Sequence, residues 1–319
     1  NRLVYRALYF LTGPFFFTFK TQAMKANKLL CLLLPFFMPG ILYSQDYSKS
    51  NQEMQEEGFS YMLADISYIS DAVFMGRRDS IAAPYLFPSI GYYDKSGFFA
   101  DASVSYLTGS EANRVDLFLL SAGYTFDNDS WSGGISGSAY FFTDESYNVK
   151  SETLGDLTGL LGYDLGPLET SLSISTYFND GGSADLFAGW QVSKELISAD
   201  RSWMIVPQFT LYAGTQKFYQ AYYQTSRLGN RKGQGMGSGG AVPLSEQALE
   251  IEEAEEFNVL NLEIGLPIHF YHKQFIFSVN PVMAFPQSPV TIQTEDAVIS
   301  EDLDPVFYGY VGISYWFKT

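Results

Sequence analysis

Apolar and polar residues alternate one by one along most of the chain after residue 58, and no stretch there repeats with the period of a helix. In residues 131–142, Trp131, Ile135 and Phe141 fall on odd positions, while the even positions begin with serines and a glycine. Successive side chains of a strand point to opposite faces. The pattern therefore predicts strands with one apolar face and one face of small or polar residues.

About twelve segments show this alternation, separated by gaps rich in glycine, serine, asparagine and aspartate. They cover residues 59–70, 84–93, 97–107, 115–126, 131–142, 156–165, 168–178, 183–193, 203–214, 257–271, 274–284 and 306–317. Strands of roughly ten residues that alternate in this way are typical of proteins that cross a bilayer as a closed sheet. We predict an all-β fold, a transmembrane antiparallel up-and-down β-barrel of about 12 strands. The mean hydropathy of −0.03 excludes a bundle of membrane helices, since each of those needs roughly 20 consecutive apolar residues.

The connections between these segments should alternate between short periplasmic turns and longer extracellular loops. Counted back from a periplasmic C-terminus, the expected short turns lie at 94–96, 127–130, 166–167 and 272–273, with a longer connection at 194–202. The opposite set includes 143–154, 215–255 and 285–305. An even number of strands would place both ends of the barrel in the periplasm.

The N-terminal region has the composition of a targeting signal. Met24 to Lys28 is charged, residues 29–38 are apolar, and Leu42-Tyr43-Ser44 before Gln45 fits a cleavage site. We expect residues 1–23 to be an upstream or non-native segment, 24–44 a signal peptide, 45–58 a periplasmic N-terminal segment and 59–319 the outer-membrane barrel. A retained N-terminal anchor is the alternative.

Charge excludes one class of partner. Five of the 19 basic residues and none of the 35 acidic residues precede the expected cut, so the remaining chain carries 14 basic and 35 acidic residues, a net charge of −21. Nucleic acid requires a basic surface, and we expect none to bind. The single cysteine, Cys31, lies within the expected signal peptide, which leaves the cleaved protein without thiol chemistry.

Seven carboxylates fall on positions that the alternation turns inward: Asp65, Asp101, Asp156, Asp164, Glu169, Asp185 and Glu263. An acidic wall in a narrow lumen would favour cations over anions. The alternative is that these groups merely solvate a polar interior or pair with lysines and arginines from loops folded into the barrel.

Aromatic residues make up 17% of the chain, and many fall near the ends of the predicted strands. Six are candidates for girdles at the membrane interfaces: Tyr92, Tyr106, Phe141, Phe178, Tyr271 and Trp316. An aromatic path for a ligand inside the barrel is the alternative for some of them.

Candidate chemistry is sparse. The only histidines are His269 and His272, and Ser278 lies on the next strand, as in barrels that hydrolyse lipids with a serine and a histidine. No hydrolase motif surrounds them, so we expect interfacial or turn residues and no catalytic residue. Residues 229–240 hold six glycines, but neither the Lys-Ser or Lys-Thr pair of a phosphate-binding loop nor a helix start follows them, which favours a mobile extracellular loop with an acidic end. We expect no cofactor and no metal.

The last strand ends in an aromatic residue, Phe317, and resembles the C-terminal signal recognised by the barrel-assembly machinery. Lys318 and Thr319 follow it, a departure from the usual terminal aromatic. Several short motifs resemble a family of uncharacterised outer-membrane β-barrel proteins of Gram-negative bacteria. They are Gly76-Arg77-Arg78-Asp79-Ser80, Pro84-Tyr85, Pro88-Ser89, Asp94-Lys95-Ser96-Gly97 and Ser146-Tyr147-Asn148-Val149-Lys150-Ser151-Glu152. The resemblance implies fold and location, not an activity.

Taken together, these patterns predict an outer-membrane barrel that is not an enzyme, in contact with outer-membrane lipid and lipopolysaccharide. The leading hypothesis is a small passive channel or uptake protein for small solutes, with cation or neutral preference. One alternative is a non-transporting structural or surface-binding barrel that acts through extracellular loops such as 229–256 and 286–304. A third is an outer-membrane lipid hydrolase.

Overall fold

A computed structural model describes residues 59–78, 84–108, 113–128, 130–143, 146, 153–217, 250–251, 255–289, 291–293, 298–301 and 303–319. The expected signal peptide, the segment 45–58 and most of the loop 229–256 lie outside these residues, as do parts of 286–304.

Twelve barrel strands follow one another along the chain, two of them interrupted. They are β1 (Tyr61–Ile69), β2 (Tyr85–Tyr93), β3 (Phe98–Leu107), β4 (Arg114–Asn128), β5 (Trp131–Phe142), β6 (Thr153–Asp164), β7 (Glu169–Asn179), β8 (Ala184–Ser193), β9 (Trp203–Ile205 and Gln208–Gly214), β10 (Asn258–Gly265 and Ile268–His272), β11 (Phe275–Pro286) and β12 (Val306–Lys318). A separate sheet joins the short strands Glu250–Ile251, Thr291–Gln293 and Val298–Ser300. The predicted strand number is confirmed.

The sheet closes on itself. Each strand pairs antiparallel with its sequence neighbours, and β1 pairs with β12 through nine residue pairs, from Tyr61 opposite Lys318 to Ile69 opposite Tyr310. Closure gives every strand two hydrogen-bonding neighbours, so no backbone edge faces lipid. The predicted antiparallel up-and-down barrel is confirmed.

Proline causes both strand interruptions. Pro207 divides β9 and Pro267 divides β10, and proline has no N–H to donate to the ladder. Beyond these breaks, Trp203–Ile205 pairs with Ile268–His272 and with a short extension of β8, Leu196–Ile197. The long connection expected at 194–202 is therefore largely a continued hairpin, whose turn holds Asp200.

All the expected short turns lie at one end of the barrel, the short-turn end, together with the start of β1 and the end of β12. At the other end, the long-loop end, the connections after β1, β9 and β11 are long, but β7 and β8 are joined only by the 3-10 turn Asp180–Gly182. In the hairpin between β8 and β9, at the short-turn end, the hydroxyls of Ser198 and Ser202 hydrogen-bond to Asp200 and hold the pKa of its carboxyl down at about 2. The hairpin turn is therefore tightly bonded.

The two faces of the wall differ as the alternation predicts. Large apolar residues are exposed on the outward face at mid-strand, among them Ile66, Leu120, Ile135, Leu157, Ile174 and Val311. Serine, threonine, asparagine, glutamine and carboxylate side chains occupy many of the buried inward positions. In the described part of the chain, no helix has the length and apolar character needed to span a membrane.

Candidate functional site

The inward face at the short-turn end is aromatic on one side of the barrel. Six buried residues form this aromatic cluster: Phe59, Tyr61, Leu63, Tyr93, Phe99 and Ile276. The rings of Tyr61 and Tyr93 stack with centroids 5.1 Å apart, and those of Tyr93 and Phe99 stack at 5.9 Å. Large rings on β1, β2 and β3 therefore narrow the lumen from this side.

Two residues predicted for the girdle belong to this interior. Tyr271 and Trp316 pack against the aromatic cluster, and the Trp316 ring lies 5.8 Å from that of Phe59. Trp316 shares its face with the buried Ser314, and Tyr271 shares its face with the buried His269. The girdle prediction is corrected for both residues, since their rings point into the barrel.

The other four predicted girdle residues are exposed on the outward face. Tyr92 lies near the short-turn end, whereas Tyr106, Phe141 and Phe178 lie toward the long-loop end. Their positions at both ends of the wall suit two interfacial girdles, and that role stays a prediction.

Small residues line the inward face of β4 and β5. Ser121 lies opposite Ser138, Gly123 opposite Ser136 and Thr125 opposite Gly134, and the two serine hydroxyls of the first pair are 3.2 Å apart. We call these six residues the small-residue lane. All six are only half-buried, and the Phe99 ring borders the lane at Gly123, where a Cβ would lie 2.7 Å from it.

The seven predicted acidic residues separate into two groups. Asp65, Asp101, Asp156, Asp185 and Glu263 are buried on the inward face. Asp164 and Glu169 face each other across the hairpin of β6 and β7 at the short-turn end, and both are only half-buried. We call this pair the acidic rim, since these two carboxylates meet solvent at the mouth.

Hydroxyl and amide groups hold four of the buried carboxylates. Ser67 and Ser314 donate to Asp65, each at 2.5 Å, and Tyr140 and Thr158 donate to Asp156 at 2.6 and 2.8 Å. Asn261 and Tyr308 donate to Glu263 at 2.8 and 3.0 Å, and Asn179 donates to Asp185 at 2.7 Å. These bonds satisfy buried oxygens without a positive charge.

Loop cations pair with other carboxylates. Within the described ranges, the ion pairs are Arg77 with Glu301 at 3.2 Å, Arg78 with Asp71 at 3.0 Å, Arg114 with Asp116 at 2.7 Å and Lys217 with Glu255 at 3.4 Å. None of these four pairs includes one of the seven predicted residues.

His269 and Ser278 lie directly opposite each other on β10 and β11. Both are buried, and His269 Nδ1 lies 2.9 Å from Ser278 Oγ. The expectation of an interfacial or turn role is therefore wrong for His269, whereas His272 is exposed at the end of its strand. The pair faces the lumen, not the lipid.

The loop after β1 folds into the long-loop end. Phe74 and Arg77 exchange backbone hydrogen bonds of 2.8 and 2.9 Å around Met75 and Gly76, whose φ angles are +50° and +75°. Two successive positive φ values make a tight hairpin turn of type I′. We call residues 70–78 the plug loop, because its Phe74, Met75 and Arg77 side chains are buried.

The plug loop reaches the far wall of the barrel. The ring of Phe74 lies 5.5 Å from those of Tyr177 on β7 and Phe187 on β8, which stand across the lumen from β1. Arg77 donates to the carbonyl of Ser288 at 2.9 Å and to Glu301 at 3.2 Å. Contacts with β7, β8 and the loop after β11 thus hold the plug loop across the lumen at the long-loop end.

Sequence reasoning missed the plug loop. The motif from Gly76 to Ser80 carries a family resemblance, but it indicates no position in space. The local signal is a glycine beside two arginines in a gap between strands. These residues fit an exposed surface turn as well as they fit a loop that folds into the barrel.

Among known proteins, similarity is found to solved structures alone. No family model and no curated protein matches the chain. Solved structures that are similar include a KdgM porin, 10% identical with a TM-score of 0.44 over 80% of this chain and 99% of that chain. A NanC porin is 11% identical with a TM-score of 0.44 over 80% of this chain and 98% of that chain. LpxR from Salmonella typhimurium is 9% identical with a TM-score of 0.41, over 81% of this chain and 100% of that chain.

Proposed function

We propose that the protein is an outer-membrane channel for small solutes that favours cations and neutral molecules. The observation that carries the proposal is the small-residue lane, whose hydroxyls on β4 and β5 stay open to solvent inside a closed twelve-strand barrel. A barrel of this size lies between filled eight-strand barrels and the wide channels of 16 or more strands. A barrel of twelve strands is therefore wide enough for a narrow pore.

Two features limit what passes. The aromatic cluster fills one side of the short-turn end, and β4 lies next to it in the sheet, so solutes would pass beside the aromatic rings, along Ser136 and Ser138. The plug loop lies across the long-loop end, which makes its displacement the step that opens the pore. The proposal is thus a small gated channel.

Charge sets the expected preference. The acidic rim of Asp164 and Glu169 lies half-buried at the mouth of the short-turn end, where its field reaches passing ions. Cations are attracted and anions repelled by such a wall.

The first test is planar-bilayer recording of the refolded barrel. We expect discrete conductance steps and, in a salt gradient, a reversal potential with the sign of cation preference. The variant Asp164→Asn with Glu169→Gln should lower the cation-to-anion permeability ratio by about two-fold or more, since rim charges concentrate counter-ions. An absence of discrete steps, or a clear anion preference in the unaltered barrel, would contradict the proposal.

Location and partners belong to the same proposal. The exposed apolar band and the outward aromatics at both ends of the wall support insertion in the outer membrane of a Gram-negative bacterium after removal of a signal peptide. Lipid and lipopolysaccharide would then contact this band, and the barrel-assembly machinery would insert it. Membrane fractionation of the expressed chain, with N-terminal sequencing of the product, tests this.

A lipid hydrolase is a second candidate, favoured by the 2.9 Å contact between His269 and Ser278. A histidine beside a serine can act as its base. However, both side chains are buried in the lumen, and the alternation turns them away from the acyl chains outside. A satisfied buried polar pair accounts for the same geometry.

We expect His269→Ala to leave esterase and lipase activity at the background level that the unaltered barrel also shows. Phospholipid and nitrophenyl-ester hydrolysis, measured on both refolded proteins in micelles, checks this. Activity in the unaltered barrel that disappears in the His269→Ala variant would favour the hydrolase and contradict our choice.

A further inference from the structure

Polar side chains from three neighbouring strands meet on the inward face just above the aromatic cluster. Asp65 on β1 lies directly opposite Ser89 on β2, which in turn lies opposite Ser103 on β3. Asp101 lies two residues before Ser103 on the same face, opposite Gly91. Residues paired in register across antiparallel strands have Cβ atoms about 5 Å apart, which brings these oxygens to one patch of wall.

Three of these oxygens have no partner. Asp101 Oδ2, Ser103 Oγ and Ser89 Oγ are buried atoms without a hydrogen-bond partner in the described structure. Asp101 is only 7% exposed and Ser103 only 4% exposed. Burying a polar group without a hydrogen bond costs free energy, and native proteins avoid it unless a ligand or an ordered water satisfies the group.

Among the described ion pairs, no basic side chain accompanies the two carboxyl groups of this patch. Asp65 is also 7% exposed, and its carboxylate accepts hydrogen bonds from Ser67 and Ser314, both neutral. No lysine, arginine or histidine of the described chain forms an ion pair with Asp65 or Asp101. Buried carboxylates are ordinarily paired with a cation or bound to a metal ion.

Space beside Asp101 depends on glycine. A Cβ at Gly91 would lie 3.0 Å from the Tyr93 hydroxyl and 3.1 Å from Asp101 Cβ. The absence of a side chain at Gly91 therefore lets the Tyr93 hydroxyl lie beside Asp101, where it adds another oxygen to the patch.

We propose that this patch binds one divalent, oxygen-preferring cation. Asp101, Ser103 and Ser89 would supply direct ligands, and Asp65 would supply the second negative charge, since hydroxyl and carboxylate oxygens are what such ions take. The described residues contain no group of three or more His, Cys, Asp or Glu around a common point, so hydroxyls and water complete the ligand set. The inference goes beyond the channel proposal, because the ion can be bound whether or not the barrel conducts.

Terbium luminescence tests the site. The refolded barrel in detergent micelles is titrated with Tb3+ under tyrosine excitation, and Ca2+ is then added as competitor. We expect a saturable signal that Ca2+ displaces, sensitised by the adjacent Tyr93. Asp101→Asn should weaken binding at least ten-fold, and Tyr93→Phe should lower the sensitised signal while leaving the Ca2+ affinity within about two-fold.

The matched control is Asp156→Asn, which alters a carboxylate of similar burial whose oxygens already accept bonds from Tyr140 and Thr158. We expect it to bind as the unaltered barrel does. Electrophoretic mobility with and without heating reports folding of each variant. Should Asp101→Asn fail to fold, Ser103→Ala against Ser175→Ala asks the same question without changing charge.

A lack of Ca2+-displaceable signal in the unaltered barrel would overturn the proposal. Equal affinity in Asp101→Asn and Asp156→Asn, or in the two serine variants where they replace the first pair, would overturn it as well. Ion binding without conductance would contradict the channel proposal alone, because the micelle measurement involves no transport.

Discussion

The Gly76→Val substitution is expected to release the plug loop and raise the single-channel conductance or open probability several-fold. Gly76 has a φ of +75°, which a β-branched residue adopts only with strain. A Cβ there would also lie 2.8 Å from both Asn261 Oδ1 and Pro286 Cβ. With any side chain at this position, the turn cannot pack against β10 and β11 as it does in the structure.

Gly182→Val is the matched control for this experiment. Gly182 also has a positive φ, +84°, and lies at the long-loop end, but a Cβ there meets nothing within 4 Å. Its backbone is strained to a similar degree without touching the plug loop. Planar-bilayer recordings of both variants decide the matter. Unchanged conductance in Gly76→Val, or an equal rise in the two variants, would show that the loop does not close the pore.

The second large effect concerns the outward face. Ile174 lies in the middle of β7 with 53% of its surface exposed, between Gly159 and Ala188 on the neighbouring strands. We expect Ile174→Arg to destabilise the barrel in lipid vesicles, lowering its free energy of unfolding by about 2–4 kcal/mol, the cost of a basic residue at the bilayer midplane. Denaturant titration of the barrel in vesicles measures it.

Ile174→Leu provides the comparison, since it keeps an apolar side chain of equal size at the same position. It should remain within about 1 kcal/mol of the unaltered barrel, as volume-conserving apolar replacements usually do. An arginine variant as stable as the leucine variant would mean that this face does not contact lipid, and the membrane location would lose its physical basis.

Alternation alone predicts the barrel, because a period of two residues determines which side chains share a face. The strand number, the pairing of first and last strands and the inward direction of all seven carboxylates follow from counting positions. The same counting excludes Tyr271 and Trp316 from a girdle, since Tyr271 shares its parity with Glu263 and Trp316 with Ser314. Placing an aromatic near a strand end does not establish which face it occupies.

Contacts between distant segments could not be predicted in this way. The burial of Phe74 depends on Tyr177 and Phe187, and the partner of Arg77 is Glu301. Nothing in the local pattern of residues 70–78 distinguishes a loop that turns inward from one that extends into solvent. The pairing of His269 with Ser278 likewise depends on the length of the turn after β10, which is two residues in the structure. The alternation pattern does not determine that length.

Phe74 also constrains the order in which the protein matures. Its two aromatic partners are synthesised more than a hundred residues later, on the seventh and eighth strands. A barrel whose seventh and eighth strands are not yet in place has no packing surface for this ring. Until then the ring stays exposed to water or bound to another protein. Completion of the wall is thus coupled to burial of the loop, and antibodies or proteases directed at residues 70–78 would recognise unfinished molecules selectively.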